Sequence, residues 1–542
     1  MRETGVEQCS PVYLFGEVPL DLSVEVWAEK IPKKTAIVFH GTEISYGALA
    51  SYIRRFASYL AGIGVGKHDH VVIFMHNCPQ FVIALFAVQR IGAIACPINP
   101  LFKKWDLERE VNALDARVII ANTSLYDTIA QVATHTLLTD VILTSMKYFL
   151  PKFLVYEFIC HDPEPDHCDA NVTMMMDAVL KTEDSIVGNE HRDMGDISLI
   201  LFTSGSTGLP KGAMLTHRNG LYKCAATASF TQRNSDNIWI HTQPMCHIAG
   251  LLYANMAFYT GAQIVLTAWF SPKVFCEAVD AYKADSWYGT SLMARCIMDY
   301  SKDERYNLSS LQLSVMSSFG IQTTRELADE WTCATCGGLL MEGGFGLTET
   351  FTMDTVMPPD GVVFGSNGTK ALEEMEIRIV EDGRDMPVGE TGEIVLRNKG
   401  VFKGYLHNPK ETAQILRDGW LYTGDIGRLD ENGYLYFLGR RKEMMKVHGF
   451  SVFPEEVESY LNRHAAIEES AVVKATLNGK DCTKAFIVLK PEYAGKTTDS
   501  EIIFWASEQM AAYKSPKIVK IIERIPMTAT GKILRRELEE LE

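Results

Sequence analysis

The 542-residue sequence has no surplus of positive charge: 52 Lys and Arg stand against 68 Asp and Glu, a formal net charge of -16. That balance argues against non-specific nucleic-acid binding, which relies on a basic face, although a local group of cations is enough for an anionic substrate. The opening stretch MRETGVEQCSPVYLFGEVPLDLS has no apolar segment behind a basic start, so no secretory leader is expected. Long apolar runs are missing too. One long uncharged stretch, VVIFMHNCPQFVIALFAVQ at 71–89, is broken by His76, Asn77, Pro79 and Gln80, which divide it into a five-residue strand and a buried helix rather than a membrane span. The twelve cysteines are scattered, mostly inside apolar runs, and read as reduced thiols of a cytoplasmic protein rather than a disulfide framework. Cys333 and Cys336 make one CxxC with no second pair, which is too little for a zinc site. Cys160, His161, His167 and Cys168 bracket an acidic loop; a plain surface loop is the simpler reading, and the sequence leaves metal binding there open. Internal repeats and low-complexity tracts are absent as well.

What is present is α/β texture. From residue 35 to 121 short apolar strands (TAIVF, HVVIFM, AIACPI, ARVIIA) alternate with helical runs, and a second such series begins near residue 197 with ISLILFTSG, IWIHTQ, AQIVLTA and ADSWYGT. Across 375–397 the pattern changes to strand alternation with Asp-Gly and Gly-Glu turns, the mark of a small antiparallel unit. The expected architecture is a large N-terminal domain (1–439) of two α/β subdomains plus a small β subdomain. A charged hinge (440–442) then leads to a C-terminal α+β lid (443–542). The aromatic stretch SMKYFLPKFLVYEF at 145–158, with two lysines, suits a capped core or dimer element better than a membrane-surface contact.

The chemistry is concentrated in LFTSGSTGLPKG at 201–212. Glycines admit backbone N–H groups close to anionic oxygens and hydroxyls add donors, so the loop suits phosphate. It is not a Walker loop, because Lys211 follows Pro210 and precedes Gly212. A flexible Gly/Ser linker is a poor alternative, since a buried strand precedes the loop and a helix is expected at once after it.

With GGFGLTET (343–350), the long block GWLYTGDIGRLDENGYLYFLGRRKEMMKVHGFSVFPEEVE (419–458) and PMTATGKILRREL (526–538), this loop resembles the signatures of the AMP-forming adenylating superfamily. That superfamily comprises acyl-CoA synthetases, peptide-synthetase adenylation domains and luciferases. The resemblance implies that Thr203, Ser204, Gly205, Ser206, Thr207, Gly208 and Lys211 wrap the β- and γ-phosphates of ATP. Gly343, Gly344 and Gly346 would clear room for adenine against Phe345, where most of the family has Tyr. Thr348 would donate to the α-phosphate, and Glu349 would hold Mg²⁺, a hard cation that prefers carboxylate oxygens. Asp425, placed at a strand end, would accept the ribose hydroxyls and share them with Arg440; Lys446 would approach the nucleotide. Lys442 matches the hinge, His448 and Gly449 lie where the family receives CoA, and His247 in QPMCHIAGLL matches the gate of the acid pocket. Arg441 reads as a solvated charge. Lys532 matches the lid lysine that joins the carboxylate and the α-phosphate as they are driven together.

The implied activity is ATP-dependent activation of a carboxylic acid to acyl-AMP, followed by transfer to CoA. ILTSMKYFLPKFLVYEF (142–158) is similar to a segment of bacterial long-chain fatty acyl-CoA ligases, which points to a medium- or long-chain fatty acid. Met316 and Phe319 stand where such enzymes carry glycines and proline, which brings an aromatic acid, hence an aryl-CoA ligase, into consideration. An adenylation enzyme loading a carrier protein is the remoter alternative. The partners expected are ATP, an acid and CoA, with no nucleic acid and no transmembrane segment; peripheral membrane contact and either a monomer or a homodimer are compatible with the sequence.

Overall fold

The computed structural model describes residues 11–151, 172–185, 192–203, 210–303, 306–317, 323–372, 374–447, 450–477, 480–510, 512–528 and 532–541. Two large, mostly parallel sheets dominate. The first has eight strands in the order Gly404–Tyr405, Lys211–Thr216, Ile197–Thr203, Ile94–Pro97, His70–Phe74, Val118–Asn122, Asp140–Thr144, Val172–Met174. The second has seven, in the order Leu339–Glu342, Leu313–Ser317, Ser286–Thr290, Ile238–His241, Gln263–Leu266, Thr35–Phe39, Thr42–Ser45. The small antiparallel sheet forms as expected from Glu376–Glu381, Arg384–Asp385, Gly392–Arg397, Leu416–Arg417, Trp420–Leu429 and Leu435–Arg440. The C-terminal unit carries the three-stranded sheet Ile467–Leu477, Lys480–Leu489, Ile518–Ile521 with helices Pro454–Leu461 and Asp499–Gln509. Its core of Val457, Leu461, Val472, Ile487 and Ile502 is separate from that of the large unit.

The broken apolar run near residue 80 resolves as expected, into strand His70–Phe74 and helix Pro79–Arg90. Every residue of that helix is buried, as is every residue of Ile248–Thr260, and the two touch through Phe86 and Phe258, ring centroids 5.7 Å apart. Helices apolar on all sides belong inside a large domain, and this pair lies in a single core cluster that draws on both large sheets.

Three local expectations differ from the structure. Strand Thr35–Phe39 is read from the sequence as the first member of the first series, but it pairs with Gln263–Leu266 of the second sheet, Ile37 opposite Ile264. Four of its five residues are buried, and a strand buried in this way carries no mark of the sheet it joins. After the phosphate loop comes a second strand, Lys211–Thr216, antiparallel to Ile197–Thr203. The helix starts only at His217, where Thr216 Oγ1 accepts from Asn219 N–H (3.2 Å) and Asn219 Oδ1 accepts from Thr216 N–H (2.7 Å). Asp425 is mid-strand in Trp420–Leu429, because the left-handed Gly424 (φ 71°) and a register shift at 426–427 absorb the turn-like Thr-Gly-Asp without ending the ladder.

Candidate active site

A cleft of about 2890 Å³ opens where the carboxyl ends of the parallel strands, the small sheet and the lid meet. In open α/β sheets ligands bind beyond the carboxyl ends of the strands. Here those ends deliver Thr203, Ser317 and Glu342 to the wall, each the last or next-to-last residue of its strand or of the loop it starts.

Phe345 follows the Leu339–Glu342 strand and is 8% exposed, its ring 5.8 Å from that of Phe437 at 31°. The glycines around it serve the chain's own backbone. A Cβ on Gly344 (φ 146°) would collide with the Thr355 carbonyl, and one on Gly346 with Met353 N, so both allow the block to fold back on residues 352–356. That close backbone approach is itself enough to require glycine at both positions. Glu349 sits in the short helical turn Thr348–Thr350, and its Oε1 accepts from Tyr405 Oη–H at 2.6 Å. Lys211 forms an ion pair with Glu411, and its ammonium stands 5.3 Å from the centroid of the Tyr405 ring. Burial lowers the Lys211 pKa, Lys442 adds to that, and Glu349 opposes it.

Asp425 is 1% exposed, and Arg440 Nε lies 2.7 Å from its Oδ1. The approach is not aligned as a hydrogen bond, and Oδ1 has no donor among the described residues. Burial raises the Asp425 carboxyl to about 7, Arg440 works against it, and Glu349 adds to it. A buried carboxylate oxygen without a donor is costly, and Asp425 is one of the residues lining the cleft.

From the lid comes Lys532, whose carbonyl accepts from Thr528 N–H (2.7 Å) and whose N–H donates to Thr528 Oγ1 (3.1 Å). Its charge acts on Asp425, Lys442 and Glu443. Behind it Arg535 gathers Glu458, Glu455 (3.2 Å) and Glu443 (3.5 Å). Burial pushes Glu455 up to about 8, with Glu458 in the same direction and Arg535 opposing. Helix Pro454–Leu461 packs on strand Leu435–Arg440, and Glu455 Oε2 occupies the place a Cβ on Gly439 (φ 141°) would need. That close approach is where the lid joins the body.

The family of AMP-binding enzymes matches residues 24–406, and its C-terminal domain matches residues 456–532. The chain belongs to the AMP-binding enzyme family. A long-chain-fatty-acid–CoA ligase of Bacillus subtilis is 30% identical over 538 residues, covering 95% of this chain and 93% of the relative. A feruloyl-CoA synthase of Amycolatopsis is 29% identical over 516 residues, covering 94% and 96%. The solved structure of an anthranilate CoA ligase with anthranoyl-AMP superposes with a TM-score of 0.83 at 25% identity, covering 96% of each chain. The large α/β domain with a smaller C-terminal domain expected from the sequence is the fold of these proteins.

In this AMP-binding enzyme Thr203, Lys211, Phe345, Thr348, Glu349, Asp425, Arg440, Lys442 and Lys532 all line one cleft, drawn from both large sheets, the small sheet and the lid. His247 lines it too, as the N-cap of Ile248–Thr260, Nδ1 accepting from Ala249 N–H at 3.4 Å. Burial lowers its pKa, so the imidazole is neutral at pH 7. Met316 is fully buried in Leu313–Ser317, opposite Glu342, and reaches the cleft wall. Arg441, read from the sequence as a solvated charge, is half-buried and held by Glu381 at 2.6 Å, with its Nε buried. Lys446 is in the strand Met445–Val447, paired with Ser451. Ser204, Gly205, Ser206, Thr207, Gly208, Phe319, His448 and Gly449 lie outside the described residues, as do Cys160, His161, His167, Cys168 and the second half (152–158) of the aromatic stretch 145–158.

Sequence reasoning missed Tyr405, Glu411 and Glu342. Glu411 is on a helix capped by Asn408, and nothing in NPKET signals a partner for Lys211. Glu342 is buried at 7% and accepts from Thr323 Oγ1–H at 2.9 Å. Among the described residues no group of three or more metal-ligating side chains occurs, and no helix is long and apolar enough to cross a membrane.

Proposed function

We propose that this AMP-binding enzyme is an AMP-forming acid–CoA ligase. The carrying observation is that the buried Asp425, ion-paired with Arg440, lines one cleft together with Phe345, Glu349, Lys211 and the lid residue Lys532. In this reading Phe345 stacks on adenine, and Asp425 with Arg440 takes the ribose hydroxyls. The 203–208 loop and Lys211 hold the β- and γ-phosphates, Thr348 donates to the α-phosphate, and Lys446 lies near the nucleotide. A carboxylate oxygen of the acid attacks the α-phosphorus, the bond to the bridging oxygen breaks, and pyrophosphate leaves. Lys532 screens the two anions as they meet. The CoA thiol, received near His448 and Gly449, then attacks the acyl carbon; the C–O bond to AMP breaks, the thiol proton goes to water, and the thioester is formed. The body is residues 1–439 and the lid 443–542, turning at Lys442 within 440–442.

The Glu349 carboxylate fits Mg²⁺: it is a hard oxygen donor on the cleft wall, oriented by the Tyr405 hydroxyl. The ion, when bound, would neutralise triphosphate charge. Tyr405 fixes the carboxylate so that it can meet that charge without rearranging.

His247, Met316 and Phe319 are assigned to the acid pocket, and a medium- or long-chain fatty acid is the leading substrate, supported by the likeness to long-chain-fatty-acid–CoA ligases. One observation favours an aryl acid instead. Tyr288 lines the cleft and stacks on Tyr253 at 4.1 Å and 12°, and the buried Tyr253 hydroxyl makes no hydrogen bond among the described residues. A flat ring bearing a polar group would extend that stack. Incubation with ATP, Mg²⁺, CoA and a mixed pool of fatty and aryl acids, read by mass spectrometry of the thioesters, separates the two. The nucleotide products are expected to be AMP and pyrophosphate; ADP and orthophosphate would overturn the reading.

The pH response of nucleotide binding follows from Asp425. Below about 7 its carboxyl is protonated, and a protonated carboxyl is the poorer acceptor for ribose hydroxyls. AMP affinity should therefore rise with pH between about 5.5 and 7.5, by at most about tenfold per unit, and level off above. Asp425→Asn should bind more weakly with a flat profile, as calorimetric titration across that range would show. Stability of the free enzyme runs the other way. The folded state holds this proton more tightly than the unfolded chain, so that contribution is complete at low pH and is lost as pH rises through about 7.

A further inference from the structure

Directly behind the Thr348–Glu349 turn the backbone adopts an uncommon conformation. Phe351, Thr352 and Met353 have φ of 57°, 55° and 51°, three successive non-glycine residues in the left-handed region. Single residues visit that region; runs are disfavoured for L-amino acids, and such strain persists only where the surroundings hold it. What holds it is an ion pair with no access to water. Lys223, in the middle of the buried helix His217–Phe230, and Asp354 are both 0% exposed. The Lys223 ammonium donates to Asp354 Oδ1 (2.7 Å) and to the Met353 carbonyl (3.1 Å), the last carbonyl of the left-handed run. Asn398 Nδ2–H also donates to Asp354 Oδ1 (2.9 Å), and Thr350 Oγ1–H to Oδ2 (2.5 Å). The Asp354 N–H is bound to the Phe345 carbonyl (2.8 Å) and the Thr352 N–H to the Leu347 carbonyl (2.7 Å). Each end of the block 345–350 is thus tied to the turn. The fit is close: a Cβ on Gly400 would collide with the Lys223 side chain and with the Thr350 carbonyl.

We propose that Lys223, through Asp354, is a positioning residue of this enzyme: it clamps the left-handed turn 351–353 and so sets Phe345, Thr348 and Glu349 against the nucleotide. This rests on the nucleotide reading of residues 345–349 given above. A clamp of this kind has a reason to be charged. An apolar pair of the same volume would fill the core equally well but would leave the Met353 carbonyl without its ammonium donor and the Thr350 hydroxyl with only its bonds to Leu347.

The test uses the full-length enzyme with the double substitution Lys223→Met and Asp354→Leu, chosen so that neither charge is left buried alone; Lys223→Arg serves as the charge-retaining companion. Hydrogen exchange of peptides covering 345–355 is measured first, with no ligand present. The clamp predicts exchange there at least tenfold faster in the double variant, with the rest of the large domain unchanged and Lys223→Arg closer to the parent. In steady-state assays the KM for ATP and the half-saturating Mg²⁺ concentration should rise about tenfold, while the KM values for acid and CoA stay within twofold. Unchanged exchange at 345–355, or an equal shift for all three substrates, overturns the proposal. The exchange result judges the clamp even if the parent binds no nucleotide, an outcome that would refute the function above instead.

Discussion

Lys532→Ala is expected to slow acyl-AMP formation by about 100- to 1000-fold, the loss that follows removal of one preorganised charge-stabilising donor, or roughly 2.7–4 kcal/mol. In the proposed first step two anions approach each other, and the repulsion between them peaks as the new P–O bond forms. A cation between them lowers that barrier far more than it aids binding of either ligand, so ATP affinity should change little. Lys532 is exposed at the cleft rim on a loop of the lid, and its charge acts on Asp425 across the cleft. In the proposed second step the lid would have turned and carried that charge away. Thioester formation from chemically prepared acyl-AMP and CoA should therefore proceed at nearly the parental rate. Both half-reactions are to be measured on one preparation whose melting temperature matches the parent. Parallel losses would mean that Lys532 acts on both arrangements, and the two-conformation scheme would fall.

Lys442→Pro should produce the opposite split. Proline holds φ near -65°, so a pivot at this residue would be restricted to rotations about its ψ and its neighbours. Lys442 is exposed in the turn between strand Leu435–Arg440 and strand Met445–Val447. The backbone bonds beside it are Arg441 N–H to the Gly424 carbonyl (2.9 Å) and Glu443 N–H to the Arg440 carbonyl (3.0 Å). If the lid turns here, acyl-AMP should still form within a few-fold of the parental rate while thioester formation falls about 100-fold, the loss expected for a reacting group misplaced by about 1 Å. Equal effects on the two half-reactions would move the pivot elsewhere in the 440–444 segment. The contact of Gly439 with Glu455 and the Arg535 carboxylate cluster on the lid side make a distribution over several residues the alternative to test next, by proline scanning.

Much of the site was legible without coordinates, because its parts are short and local. A phosphate-suited loop, a glycine-flanked aromatic, a Thr-Glu pair and a lid lysine are each contained within a dozen residues, and Lys211, Phe345, Glu349, Asp425 and Lys532 do meet at one cleft. The reason for the glycines was not legible. Read alone they make space for a ligand, whereas in the fold the Cβ positions of Gly344 and Gly346 point at the chain's own backbone, at Thr355 and Met353 further along the chain.

The sequence by itself determined the elements, since apolar periodicity and turn chemistry act over a few residues. Helix Pro79–Arg90 behind strand His70–Phe74 and the strands Glu376–Glu381 and Gly392–Arg397 of the small antiparallel unit follow from it. The tertiary structure alone decided which strands share a sheet. It sent Thr35–Phe39 across to the second sheet, because a buried strand exposes no side chain that distinguishes one apolar neighbour from another. It alone chose the partners of the charges as well. Lys211 meets Glu411 200 positions away, and Lys223 meets Asp354 131 positions away. Ion pairs of this kind form where packing removes water from both groups, and no local pattern in the chain records where that happens.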